Sequence, residues 1–160
     1  MKSARTIPPA QARERLADAC ARAEYCTHEL REKLRRWRVE PGEAERIVQE
    51  LVRTRYVDDA RYAGAFVRRK AEYARWGRRK IAAALAMKRI DRSVAAEALG
   101  EIDPQAYEEA LTGVLQAKAR MLGDEALTTY DGRTRLFRHA ASRGYETDAI
   151  ARVLRRMMAE

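Results

Sequence analysis

Residues 30–48 read LREKLRRWRVEPGEAERIV, and their apolar or small positions, Leu30, Leu34, Val39, Ala44, Ile47 and Val48, decide the fold. The same spacing restarts at Ile81 in IAAALAMKRIDRSVAAEAL (81–99), with Leu85, Ile90, Ala95, Ala98 and Leu99. A third copy, LFRHAASRGYETDAIARVL (136–154), gives Leu136, Ala140, Tyr145, Ile150, Val153 and Leu154. Within each copy the apolar positions recur at three and four and then reset, the pattern of a short helix, a tight turn and a second helix. A fixed internal spacing written three times marks a repeat architecture.

Working outward, each helix pair is preceded by room for a longer helix: Pro9 to Arg22, Asp59 to Arg75, and Pro104 to Leu122, the last opening on Asp103 as cap and Pro104 at the first position. Thr27 is placed to cap the first short helix and Pro41 to open its partner, with Asp91 and Thr147 at the matching cap positions of the later copies. The expectation is an all-α chain of three tandem three-helix repeats in an elongated, curved array. Residues 1–8 form a disordered tail, and the repeats span 9–57, 58–102 and 103–160. Tyr62, Phe66 and Tyr73 make an apolar stripe at helical spacing, which reads as core. A helix ending in left-handed conformation wants glycine there, and the third copy supplies Gly144. The first two copies have Arg38 and Arg89, so either those helices end differently or they carry a strain of about 1 kcal/mol each.

Of the 160 residues 36% are charged, and the mean hydropathy is −0.61, a composition suited to helices with solvated faces. Apolar runs such as Ile81 to Met87 fall far short of the roughly 20 residues a membrane span requires. The first nine residues have no apolar signal region, so a cytoplasmic protein is expected. Cys20, Cys26, His28 and His139 lack the paired spacings of a zinc site, and two cysteines make no disulfide framework. No phosphate-binding glycine loop or nucleophile elbow occurs, and Ser3, Ser93 and Ser142 are scattered. Carboxylates such as Asp58, Asp59, Asp91 and Asp103 stand where helices start and read as caps. No enzyme, metal or cofactor is expected.

The net charge of +9 is unevenly spread. Between Asp59 and Arg92 eleven basic residues face three acidic ones, whereas Glu97 to Asp131 holds eight acids against Lys118 and Arg120. Such a basic block favours a nucleic acid or an acidic partner. Its candidate contact residues are Arg68, Arg69, Lys70, Arg75, Arg78, Arg79, Lys80 and Lys88. Arg78, Arg79 and Lys80 open a helix, where positive charge opposes the helix dipole, so stability does not account for them.

Three phrases of the sequence resemble the RecX family of bacterial regulatory proteins. Tyr25, Cys26, Thr27, Glu29, Leu30 and Leu34 resemble its opening Y-S-x-x-E-L-x-x-K-L. Tyr56, Val57, Asp58, Asp59, Arg61, Tyr62, Ala63, Phe66 and Val67 resemble its segment G-Y-[LV]-[DN]-D-x-x-[FY]-A-x-x-[FY]-[IV]. Gly77, Arg78, Lys80, Ile81, Leu85, Lys88, Arg89 and Ile90 resemble G-x-x-[KR]-I-x-x-x-L-x-x-K-G-I. Arg55, Arg38 and Arg89 depart from the family by replacing glycines. The resemblance implies a non-catalytic protein that lies in the groove of the RecA filament on single-stranded DNA. It implies inhibition of ATPase, strand exchange and co-protease activity, and so modulation of recombination and the SOS response. A monomer making at most weak direct DNA contact is expected. The competing reading is a helix-turn-helix protein acting directly on DNA, whose basic residues should crowd the second helix of a pair, yet Ala95 to Leu99 contains none.

Overall fold

Proline and short acidic or hydroxyl side chains set most of the helix starts. The helices are α1 (Pro9–Arg22), α2 (Thr27–Arg36), α3 (Pro41–Arg53), α4 (Asp59–Glu72), α5 (Arg78–Met87), α6 (Arg92–Gly100), α7 (Pro104–Leu122), α8 (Glu125–Thr128), α9 (Tyr130–Ser142) and α10 (Thr147–Ala159). This computed structural model describes residues 6–160, and no strand occurs among them. Side-chain oxygens satisfy otherwise free amides at five starts: Glu40 accepts from the Glu43 amide, Asp58 from Arg61, Asp91 from Ser93, Asp103 from Ala106 and Thr129 from Gly132. Thr27 and Thr147, expected as caps, are instead the first residues of α2 and α10. The Glu29 carboxylate accepts from the Cys26 amide at 3.1 Å and closes that turn. The expected helix from Asp59 to Arg75 stops at Glu72 because Arg75 takes a left-handed conformation and turns the chain.

The all-helical repeat expectation holds. Leu30, Leu34, Ile47 and Val48, then Ile81, Leu85 and Ala98, then Leu136, Ala140, Ile150 and Val153 are all buried. Each turn is closed by the same bond: the amides of Val39, Ile90 and Tyr145 donate to Leu34, Leu85 and Ala140 respectively, at 3.1 to 3.3 Å. That six-residue bond with a left-handed residue inside it is the Schellman ending. Arg38 (φ 55°), Arg89 (φ 54°) and Gly144 (φ 94°) fill the left-handed position. The arginine copies therefore keep the turn and carry the strain. Arg55 (φ 60°), where the family phrase has glycine, is also left-handed at the end of α3, but there the Val57 amide donates to Leu51 at 3.3 Å, one residue further on. Arg38→Gly and Arg89→Gly are each expected to raise the unfolding free energy by about 0.5–1 kcal/mol, because relief of the Cβ clash outweighs the extra chain entropy of glycine. Urea unfolding midpoints measure this, and unchanged or lower midpoints would refute the strain.

Three apolar cores follow the chain. The first gathers Leu16, Leu30, Leu34, Val48 and Leu51; the second Tyr62, Phe66, Ile81, Leu85 and Ala98; the third Leu111, Leu115, Leu136, Ile150 and Val153. Residues 1–5 of the expected tail lie outside the described residues. Ile7 does not behave as tail: it is 4% exposed, packs in the first core, and its amide donates to the Trp37 carbonyl at 3.1 Å. The one helix without a sequence signal is α8, a single turn too short to show a period.

The junctions between cores differ in kind. Between the first and second, side chains meet: Glu24 with Arg61 at 2.7 Å, Glu29 with Lys88 at 3.2 Å, and Thr27 with the Asp59 carboxylate at 2.8 Å through both its amide and its hydroxyl. Cys26, fully buried, plugs into the second core from the end of the first unit. Between the second and third, backbones meet as well as side chains: the Gly77 amide donates to the Arg143 carbonyl at 2.7 Å and the Arg79 amide to the Gly144 carbonyl at 3.0 Å.

Candidate nucleic-acid and partner interface

The basic block folds into an elbow where α4 ends and α5 begins. Arg75 at φ 53° reverses the chain, and the Trp76 amide returns to the Lys70 carbonyl at 2.9 Å. Gly77 then opens α5 without a side-chain cap, and the first turn of that helix carries no acidic residue of its own. The Arg143 guanidinium bonds the carbonyls of Ala74 and Arg75, and fixes the elbow against the third unit.

The eight candidate residues separate into two groups. Arg78 and Lys88 are engaged in the fold. The Arg78 amide donates to the Tyr107 hydroxyl at 3.0 Å, and that hydroxyl donates to Glu146 at 2.7 Å. The Arg78 guanidinium lies 3.5 Å from Glu146 and 4.0 Å from the centre of the Tyr107 ring. Burial and the Glu146 carboxylate push the Tyr107 phenol well above its ordinary range, so it stays a donor in this triad. Docking of the third unit thus accounts for Arg78, contrary to the expectation that stability does not. Lys88 pairs with Glu29 at the first junction.

The other six, Arg68, Arg69, Lys70, Arg75, Arg79 and Lys80, have no carboxylate within ion-pair distance among the described residues. Arg68 and Arg75 edge a groove of about 420 Å3 between α4, α6 and α7, and Arg75 lies across Gly113. Lys70 and Lys80 both hold their ammonium groups 4.4 Å from the centre of the Trp76 ring, and Arg69 lies 5.9 Å from that of Phe66. Cation–π contact fixes these chains without neutralising them. Glu72, Glu101, Asp103 and Glu109 line the groove that Arg68 and Arg75 edge, so the unopposed positive charge is that of Arg69, Lys70, Arg79 and Lys80.

Two aromatics at this elbow escaped the sequence reading. Tyr62 and Phe66 are buried, but Tyr73 is 82% exposed and is not core. The buried stripe of α4 runs through Ala63, Val67 and Ala71 and drifts away from the Tyr73 side, which is left open to solvent. Trp76 is half-buried, between core and surface. Among the described residues no group of three His, Cys, Asp or Glu side chains is placed to hold a metal. Burial pushes the Cys26 thiol up to about 11, which keeps it protonated and a poor nucleophile. Among the described residues no helix is long and apolar enough to cross a membrane.

Residues 58–99, which hold all eight candidates, match the family described as RecX, second three-helix domain. Over 154 residues the chain is 27% identical to Regulatory protein RecX of Vibrio parahaemolyticus, covering 96% of each. Over 131 residues it is 24% identical to Regulatory protein RecX of Clostridium beijerinckii, covering 82% of this chain. Over most of its length the chain is thus similar to RecX regulatory proteins. It spans 61% of the length of the Clostridium relative. Its fold is that of the crystal structure of RecX from Lactobacillus salivarius, with a TM-score of 0.85 at 17% identity, covering 95% of this chain and 97% of that one. A second RecX crystal structure aligns with a TM-score of 0.82 at 19% identity, over 91% of this chain and 70% of the other. The free basic elbow therefore sits in the part of the chain where the RecX match is recognised.

Proposed function

We propose that the chain is a non-catalytic, cytoplasmic regulator that binds the RecA filament on single-stranded DNA. On this reading it inhibits the filament's ATPase, strand-exchange and co-protease activities, and so modulates recombination and the SOS response. One observation carries the reading: four cations without a carboxylate partner, Arg69, Lys70, Arg79 and Lys80, stand at one elbow of a RecX-like helical array. An extended array with a positive surface is physically suited to lie along a filament that holds DNA phosphates. The relatives are named regulatory proteins. Direct action through a helix-turn-helix is less well supported, since α6, the second helix of the central pair, carries Arg92 as its single basic residue.

The test is to add the purified chain to a preformed RecA filament on single-stranded DNA and follow ATP turnover. Turnover should fall in a saturable way as the chain is added. A flat response with the chain in excess over RecA would sink the assignment.

A further inference from the structure

The acidic block from Glu97 to Asp131 is the part of the charge pattern that the basic elbow leaves unexplained. Its first half borders the groove between α4, α6 and α7. The floor of that groove is apolar and mostly small, with Gly64, Val67 and Ala71 from α4, Ala98 from α6 and Ala110 from α7. A second cleft of about 110 Å3 shares Gly64, Ala98 and Glu101 with it and carries it on to Ala60 and Glu97. The two make one channel along a face of α4 from Ala60 to Glu72, a run of about 18 Å at the rise of an α-helix.

The charges on its rim are not those that stability would choose. Glu72 is the last residue of α4, Glu97 stands in the last turn of α6, and Glu101 follows that helix directly. Negative charge at a helix C-terminus opposes the dipole, and Glu97 and Glu101 are a like-charge pair four residues apart. All three are exposed, and none has a cation within ion-pair distance among the described residues. Asp103 and Glu109 add carboxylates on the α7 side, while Arg68 and Arg75 answer from the α4 edge. Five acids against two arginines leave the channel negative in a chain whose net charge is +9. An all-helical surface offers a bound peptide no sheet edge, and the one aromatic lining residue, Tyr107, is turned into the core, so the channel has no aromatic wall for a polyproline segment. A helix remains. Its apolar stripe can approach a glycine and alanine floor closely, and the carboxylates select lysine and arginine beside that stripe.

We propose that the channel between α4, α6 and α7 is a docking site for a basic amphipathic helix of a partner protein, with Gly64, Ala98 and Ala110 admitting its apolar stripe and Glu72, Glu97 and Glu101 meeting its lysines or arginines. The site uses none of the four free cations of the elbow and does not rest on the regulatory reading above. It recognises stripe and charge, so it tolerates differences in sequence.

Fluorescence anisotropy tests it at physiological salt, with a labelled helix-forming peptide of Leu, Ala and Lys, about 18 residues long, whose leucines form one stripe flanked by lysines. The parent should bind this peptide. A peptide of the same composition with the stripe scrambled, and one with Glu in place of every Lys, should each bind more weakly by about tenfold or more. Changing Glu97 and Glu101 together to Lys should weaken binding of the first peptide by a similar factor, and Ala106→Trp, at an exposed position lining the groove, should do so by filling it. The Lys pair should unfold at the same or a higher urea concentration than the parent, because it removes like charges that oppose the α6 dipole, so weaker binding would not reflect a damaged fold. Arg79→Ala with Lys80→Ala, at the elbow, should leave binding nearly unchanged. No binding by the parent, equal binding of either control peptide, or equal binding by the Lys pair or Ala106→Trp would each overturn the proposal. Spermidine displacing the labelled peptide as effectively as the unlabelled peptide does would overturn the assignment to a helix, since a polyamine carries the charges without the stripe. With neither DNA nor recombinase present, none of these outcomes depends on whether the chain inhibits the filament.

Discussion

Changing Arg69, Arg79 and Lys80 together to Glu is expected to weaken inhibition of the RecA filament by an order of magnitude or more while leaving the helical fold intact. All three are exposed and none is paired with a carboxylate, so the fold loses no ion pair with them. At the start of α5 the change helps stability, since negative charge at positions 79 and 80 favours the helix dipole by a few tenths of a kcal/mol each. The end of α4 loses a similar amount at position 69, and Trp76 loses one of its two ammonium neighbours, worth about 0.5–1 kcal/mol at an exposed site. Stability therefore stays nearly level, whereas the surface field reverses sign where phosphates or acidic side chains would meet it. Raising salt should mimic the change in the parent. Arg78→Glu is unsuitable for this purpose, because it would set a second carboxylate against Glu146 and undo the docking of the third unit. Arg31 and Arg35, paired with Glu45 and Glu32 in the first unit, serve as controls whose loss should leave inhibition nearly unchanged. ATP turnover at several salt concentrations reads the effect. Equal inhibition by parent and triple variant at every salt would move the contact to another unit.

Much of the fold was legible because its signals are local. The spacing from Leu30 to Val48 fixes which faces two consecutive helices bury, and Pro9, Pro41 and Pro104 mark starts that the structure keeps to the residue. The charge of the elbow was legible for the same reason, as a run along the chain. Which of those charges is free was not, because their partners are distant. Arg78 meets Glu146 from 68 residues away and Lys88 meets Glu29 from 59, and no local pattern announces either. Tyr73 shows the converse. Its spacing from Tyr62 fits a buried stripe, but burial depends on which side of the last turn of α4 a neighbour covers, and the side of Tyr73 is open. The arginines at left-handed positions were undecided for a third reason. Their cost, about 1 kcal/mol each, is small beside the buried cores that hold the turns closed.

Gly77→Ala should cost this chain far more stability than a single added methyl group ordinarily does. Glycine is needed there for room and not for conformation, since Gly77 has an ordinary extended backbone at φ −78° and ψ 164°. A Cβ at Gly77 would stand 2.2 Å from both the Gly144 carbonyl carbon and the Tyr145 nitrogen. Those atoms are backbone, so no rotamer change relieves the clash, and the crossing must open. Opening it lengthens the bonds from Gly77 to Arg143 and from Arg79 to Gly144, and displaces the triad of Arg78, Tyr107 and Glu146 that seals the same junction. A cost of about 3 kcal/mol follows from overpacking with hydrogen bonds lost. Gly100→Ala is the matched control. Nothing lies within 4 Å of the added methyl at the end of α6, so the change should be neutral or stabilising by up to about 1 kcal/mol. Urea unfolding of the two variants separates the cases, and a Gly77→Ala protein as stable as its parent would mean that the second and third units do not meet by this crossing. The same crossing carries the Arg143 side chain that pins the carbonyls of Ala74 and Arg75. Gly77→Ala should therefore also weaken partner binding without removing a single charge, and a stable, fully inhibitory variant would show that the elbow needs no support from the third unit.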